Sequence, residues 1–256
     1  MKKTLIALAV AVSAAVSGAA MAWDTDGTGG NVELGGTLTP ADVVTPWEVK
    51  VGAPVNGLDA NISKGDTKVN IPVTNAIPVL VIRTIEKTAF QGRAGIDPKI
   101  SYNRAVDFEN MKDGVAELIL DIQGSGDSKI GTLRADIFTG AGVARERYSV
   151  SVYDDGGAFA GGLGSSDSKV VGSFSTLVSK LNAIDPEIIA NFDDMGTSPQ
   201  HTWNAGSFSD KGKHFSAFYG SAIEAGKSIK ITLDTPAAAD APIDWKASLP
   251  ITVSYQ

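Results

Sequence analysis

The chain closes on Ile243-Asp-Trp245-Lys-Ala-Ser-Leu249-Pro-Ile-Thr-Val253-Ser-Tyr-Gln256. From Trp245 onward every odd position is apolar (Trp245, Ala247, Leu249, Ile251, Val253, Tyr255), and the even ones are Lys246, Ser248, Pro250, Thr252, Ser254 and Gln256. Side chains alternate across a strand with a period of two, so this pattern predicts a strand with one face on a core and the other in water. A strand that ends the chain has no successor to pair with. Unless an earlier segment covers it, one apolar edge stays open, and such an edge is a template for aggregation.

The predicted cover lies at the other end of the chain. Thr28 to Thr39 places Val32, Leu34, Gly36 and Leu38 in one phase and Asn31, Glu33, Gly35, Thr37 and Thr39 in the other, with Pro40 following. This is a strand pattern short of bulk and rich in glycine, too weak to hold a place in a sheet by propensity alone. It reads as a flexible arm that becomes a strand when a ready-made groove receives it.

Lys2 and Lys3 precede an apolar run from Leu5 to Val16, and Ala20-Met21-Ala22 is a small-x-small cleavage site. Residues 1–22 therefore read as a secretory signal peptide, with the mature chain starting at Trp23. Its removal takes away two lysines and no acid, moving the formal net charge from −7 to −9. That balance argues against nucleic acid or an anionic membrane surface as a partner. With no cysteine in an exported chain, neither a disulfide nor a thiolate metal site helps the fold. A hydrophobic fraction of 43% is enough for one sizeable core, and 28 glycines with 11 prolines favour short strands and turns over long helices.

Between Trp47 and Asp154 one grammar repeats: short apolar or alternating runs bounded by Gly, Asp, Asn and Pro. Trp47–Val51, Lys68–Val73, Val79–Ile85, Lys99–Tyr102, Val115–Ile122, Lys129–Phe138 and Tyr148–Tyr153 read as strands, and their spacing predicts an immunoglobulin-like β-sandwich. After Asp154 the grammar changes. Phe174, Leu177, Val178 and Leu181 fall at helical spacing behind a capping Ser173, and Asp185-Pro186 opens a second, shorter helix with Ile188, Ile189 and Phe192 on one face. Strands resume with Phe215–Tyr219 and Ser228–Leu233. The organisation expected is thus a signal peptide over 1–22, an arm over 23–40, and a sandwich over 41–256 with a helical insertion at about 140–202.

Catalytic signals are poor. His201 and His214 fit no compact ligand set, and no Gly-x-Ser-x-Gly elbow is present. Gly220 to Ser228 imitates a phosphate loop, but its glycine spacing is one residue too long and a strand follows instead of a helix, so it reads as a hairpin turn. Asp24-Thr-Asp26-Gly27 opens like a calcium loop and lacks the later ligands. The aromatic group Trp203, Phe208, Phe215, Phe218 and Tyr219 has two readings. Either Phe215 and Phe218 are core residues and Trp203 covers the insertion joint, or an exposed tryptophan or tyrosine stacks against a sugar beside Asn204, Ser207 or Asp210.

The signal peptide, the arm Asn31-Val-Glu-Leu-Gly-Gly-Thr-Leu-Thr39, the strand Trp47-Glu-Val-Lys-Val-Gly52 and the ending Trp245 to Tyr255 carry a resemblance to the major subunits of FaeG-type enterobacterial fimbriae. The likeness spans the chain, is strongest at the two ends and departs most over Gly140 to Gly212. It implies an incomplete immunoglobulin-like sandwich assembled by the chaperone/usher pathway. A periplasmic chaperone lends the missing strand, an outer-membrane usher exports the subunit to the cell surface, and the next subunit's arm then replaces the chaperone. Val32, Leu34, Gly36 and Leu38 would be the donor residues. Trp245, Ala247, Leu249, Ile251, Val253 and Tyr255 would form the acceptor groove and the strand grasped by the chaperone. The family's sugar-contacting residues do not transfer, since no motif in the inserted region matches residue by residue.

Three function classes follow. A structural fibre subunit, which also adheres to host cells, needs identical subunits as partners and no cofactor or metal. A dedicated lectin would contact host glycans through the insertion. A periplasmic enzyme finds no nucleophile, base or metal set in the sequence, so the expectation is no enzyme. The arm's phase is testable. Leu34→Asp should lower fibre yield sharply because a charge enters an apolar groove, whereas Thr37→Asp on the opposite face should not; equal yields of sedimentable fibre would place the wrong face inward.

Overall fold

The computed structural model describes Gly36, residues 44–238 and residues 242–256. The signal segment and the arm residues Val32, Leu34 and Leu38 lie outside the described residues. Among those described the chain is mainly β, as the sequence predicted, with one α-helix.

The architecture hangs on one long strand. In chain order the strands are β1 (Trp47–Val51), β2 (Lys68–Pro72), β3 (Ile77–Thr84), β4 (Phe90–Gln91), β5 (Pro98–Ser101), β6 (Val106–Lys112), β7 (Val115–Gln123) and β8 (Lys129–Arg145). They continue with β9 (Tyr148–Tyr153), β10 (Ser198–Asn204), β11 (His214–Ile223), β12 (Ser228–Leu233), β13 (Lys246–Ala247) and β14 (Thr252–Tyr255). The first half of β8 lies between β7 and β12, and its second half between β9 and β11. β12 leads on to β2, and β11 leads on to β3 and then β1.

Burial along β8 shows what covers it. Gly131, Leu133 and Ala135 alternate with more exposed neighbours, as expected of a strand with one face in water; from Ile137 to Ala144 every residue is buried. Both faces are covered there because the helix α1 (Phe174–Ile184) lies on the outer side and inserts Phe174, Leu177 and Leu181. Its start is fixed by Ser173, whose hydroxyl accepts the Thr176 N–H at 3.2 Å. The helix can sit close because its floor is glycine. A Cβ at Gly220 of β11 would stand 2.7 Å from Leu181 Cδ2, and one at Gly140 of β8 would collide with Leu177. β3 divides the two cores by its alternation: Leu80 and Ile82 face the main one, Val81 the one beneath the helix.

Several expectations are corrected. Phe138 does not end its strand; β8 runs on to Arg145 because β11 and β9 continue to pair with it. Among the described residues, helical ones occupy only Phe174–Ile184 and the 3₁₀ turn Pro186–Ile189, capped by Asp185. The remainder of the span expected as a helical insertion, about 140–202, includes the end of β8, all of β9 and most of β10. Glu224–Lys227 is a turn, with Gly226 at φ +79, yet it closes no hairpin: β11 and β12 both pair with β8, one after the other. β6 and β10 carry no clear period-two signal and were not anticipated. β10 is made by parallel pairing to β9, a tertiary partnership.

Inside the main core, the Tyr102 hydroxyl lies 2.8 Å from both the Tyr219 hydroxyl and Ser221 Oγ, and Tyr219 donates to the Gly162 carbonyl at 3.1 Å. Burial pushes the Tyr102 phenol up from 10.0 to about 12 and raises Tyr219 well above its ordinary value. A phenol pKa raised by folding contributes stability that is complete below pH 10 and is lost as pH rises through the folded value, because the unfolded chain gives up its proton first. For Tyr102 alone the loss is about 2–3 kcal/mol by pH 12. Phenolate absorbance should therefore show Tyr102 and Tyr219, two of the five tyrosines, ionising together with unfolding rather than before it.

Candidate assembly groove

β1 lies on β3 in antiparallel register, with Trp47 opposite Thr84, Val49 opposite Ile82 and Val51 opposite Leu80. Directly opposed residues share a face. Thr84, Ile82 and Leu80 are buried, so Trp47, Val49 and Val51 point to the interior side of the sheet. Trp47 is buried among Phe90, Phe159 and Phe208, with its indole N–H donating to the Ile96 carbonyl at 2.6 Å. Val49 is 40% exposed and Val51 57% exposed. The interior face is bare at this edge because, among the described residues, no strand lies beyond β1.

The terminal segment forms a second wall. Its six odd residues, Trp245, Ala247, Leu249, Ile251, Val253 and Tyr255, all pack against the main core and all remain half-buried, while each even residue is exposed. The alternation holds through the whole segment. The continuous strand does not: β13 pairs with β7, β14 pairs with β5 in a second sheet, and Ser248–Ile251 joins neither. Pro250, which has no N–H for a ladder, sits in the break that lets the chain pass from one sheet to the other. Among the described residues, the opposite edges of β13 and β14 pair with nothing.

The two walls meet near the chain end. Ile96 accepts the Trp47 indole, and the adjacent Asp97 exchanges both backbone hydrogen bonds with Gln256, at 3.1 and 3.2 Å. The buried Asp97 carboxylate in turn accepts the Phe208 N–H at 2.7 Å. At the far end Lys246 pairs with Asp127 and holds that carboxyl below its ordinary range. Of the arm residues expected to fill such a groove, only Gly36 is described; it is exposed, with open space where a Cβ would stand. Val49 and Val51 were missed as wall residues. Their alternation with Trp47 is visible in the sequence, but their exposure follows from register with β3.

A second surface feature involves the aromatic group. Phe215 and Phe218 are buried, as the core reading expected, and so are Phe208 and Tyr219. Trp203 is instead 49% exposed, its ring 6.3 Å from that of Tyr148, with the Arg145 guanidinium 5.2 Å from its centroid. Arg145 is held there by donating to the Asn204 carbonyl at 2.9 Å and the Ala205 carbonyl at 3.4 Å. Among the described residues no group of three His, Asp or Glu side chains is placed to hold a metal ion.

Residues 1–256 match the model of the family described as "Fimbrial, major and minor subunit". The chain belongs to this fimbrial family. It is 30% identical over 290 residues to K88 fimbrial protein AC of Escherichia coli, with both chains fully covered. K88 fimbrial protein AD of the same organism is 37% identical over 149 residues, covering 53% of this chain and 52% of that one. The F41 fimbrial protein of Escherichia coli is 30% identical over 287 residues, again covering both chains fully. The chain is thus a FaeG-type fimbrial subunit, exported to the cell surface and incorporated into a polymer of subunits.

Proposed function

We propose that this subunit is polymerised by donor-strand exchange: the arm of one copy, with Val32, Leu34, Gly36 and Leu38 inward, fills the groove between β1 and the terminal segment of the next. The observation that carries the reading is the exposure of Val49 and Val51 beside buried Ile82 and Leu80, opposite a terminal segment whose apolar face is only half covered. A strand laid there would find main-chain groups unpaired on β13 and β14 and alternate apolar sites along its length, the two elements of recognition by strand addition. Until the arm arrives the same groove needs a substitute, the role assigned to a periplasmic chaperone gripping Trp245 to Tyr255, with an outer-membrane usher exchanging one strand for the other. The role is structural, and catalysis has no part in it.

The test is a rearranged chain lacking Asp24–Thr39 and carrying that arm after Gln256 through a short flexible linker. Three large apolar side chains contribute about 1.5–3 kcal/mol each on burial, and each ladder hydrogen bond about 0.5–1.5 kcal/mol. Tethering presents the arm at roughly millimolar effective concentration, above what a second molecule offers. The rearranged chain should run as a stable monomer without chaperone, and the truncated chain without the appended arm should aggregate. A truncated chain that is monomeric and folds cooperatively by itself would sink donor-strand exchange.

The exposed Trp203 favours a second, compatible role in adhesion to host cells. An aromatic ring held by a pinned arginine and flanked by Tyr148 is a preorganised stacking surface for the apolar face of a sugar. On this reading Trp203→Ala leaves fibre yield unchanged and lowers glycan or cell binding at least tenfold, read on purified fibres over a glycan array; unchanged binding assigns the ring a packing role only.

A further inference from the structure

Where the chain enters the sandwich, at Val44–Pro46, it borders an apolar cleft of about 560 Å³ that the assembly groove does not use. The other wall is the Thr84–Arg93 segment, with Ile85 exposed and Phe90 at the base; Val44 is 73% exposed. The cleft is preformed. Ile85 N–H donates to the Pro46 carbonyl at 2.9 Å, Arg93 N–H to Phe208 at 2.8 Å, and the Arg93 guanidinium to the Val44 carbonyl. Arg93 and Lys211 are its basic residues, with Glu86 as counter-charge.

We infer that this cleft is a second contact between successive subunits and that its occupant is a second copy of this chain. The inference rests on the donor-strand reading. If residues up to Thr39 lie in a neighbour's groove, only Pro40–Val43 separate that neighbour from Val44, and five Cα steps span at most ~18 Å. The neighbour's surface therefore stands over the cleft. Which surface follows from strand direction. The terminal segment runs towards Gln256, and an arm pairing antiparallel to it, the arrangement of the sandwich's other adjacent strands along β8, ends beside Trp245 and Lys246. That end of the molecule presents exposed Ile243 and Asp244 and the Gly124–Asp127 turn tied to Lys246. An apolar residue beside an acidic one would thus face an apolar cleft with a basic rim. Seating Ile243 against Ile85 and Val44 fixes the angle between neighbours by a second point of contact.

A photo-crosslinking benzophenone residue at Ile85 in intact fibres tests this, with the same probe at Val51 as companion. The Ile85 probe should give covalent dimers whose partner peptide contains Ile243–Lys246 or Gly124–Asp127. The Val51 probe should capture residues 28–39 of a neighbour. If Val51 captures the arm while Ile85 yields no dimer, or crosslinks only to its own residues 37–43 or to another face, the second contact is overturned and the donor strand stands. If Val51 fails to capture the arm, the donor-strand reading falls and this inference with it.

Discussion

Trp47 and Val51 occupy the same face of one five-residue strand, opposite buried partners on β3, yet one is buried and the other is more than half exposed. Nothing in β1 itself explains the difference. It arises because, among the described residues, nothing covers the interior face beyond Val49 and Val51, and the terminal segment likewise leaves its six apolar side chains half-buried. Full burial of an aliphatic side chain contributes about 1.5–3 kcal/mol. Val49, Val51 and the six terminal side chains thus keep apolar area that the other described residues do not bury.

The rest of the fold keeps the groove in shape. β8 belongs to both halves of the sandwich, so the sheet that carries β1 and the strands that carry the chain end are set by one backbone. The helix α1 stiffens the outer side of that strand over a glycine floor, and Arg83 and Asn191 tie the helical region back to β1 and β3. Arg83 pairs with Glu48 at 2.5 Å, and the Asn191 amide donates to the Thr84 carbonyl at 2.9 Å. The partly exposed Arg83–Glu48 ion pair contributes little, about 0–1 kcal/mol, and the Asn191 hydrogen bond is buried. Their effect is positional: they hold β1 flat against β3 with its interior face uncovered. The exposed Trp203 platform stands on β10, whose place depends on β9 and thus also on β8.

Period-two alternation from Trp245 to Tyr255 matches the burial of the terminal segment position by position, each odd residue half-buried and each even one exposed. The cap at Ser173, the apolar face of α1 and the mainly β class were equally legible, because each depends on local periodicity or on one residue's hydrogen bond to its own backbone. The family itself could be read from the two chain ends.

Tertiary structure decided the rest. Whether residues 245–255 form one strand or two depends on which sheets flank them, and Pro250 marks a crossing the alternation cannot express. Phe138 fails to end β8 because β9 and β11 supply partners further on, and β10 exists because β9 pairs with it in parallel. The exposure of Val49, Val51 and Trp203 likewise has no local signal. Burial is set by what lies across and beyond a residue, and those neighbours come from segments distant along the chain.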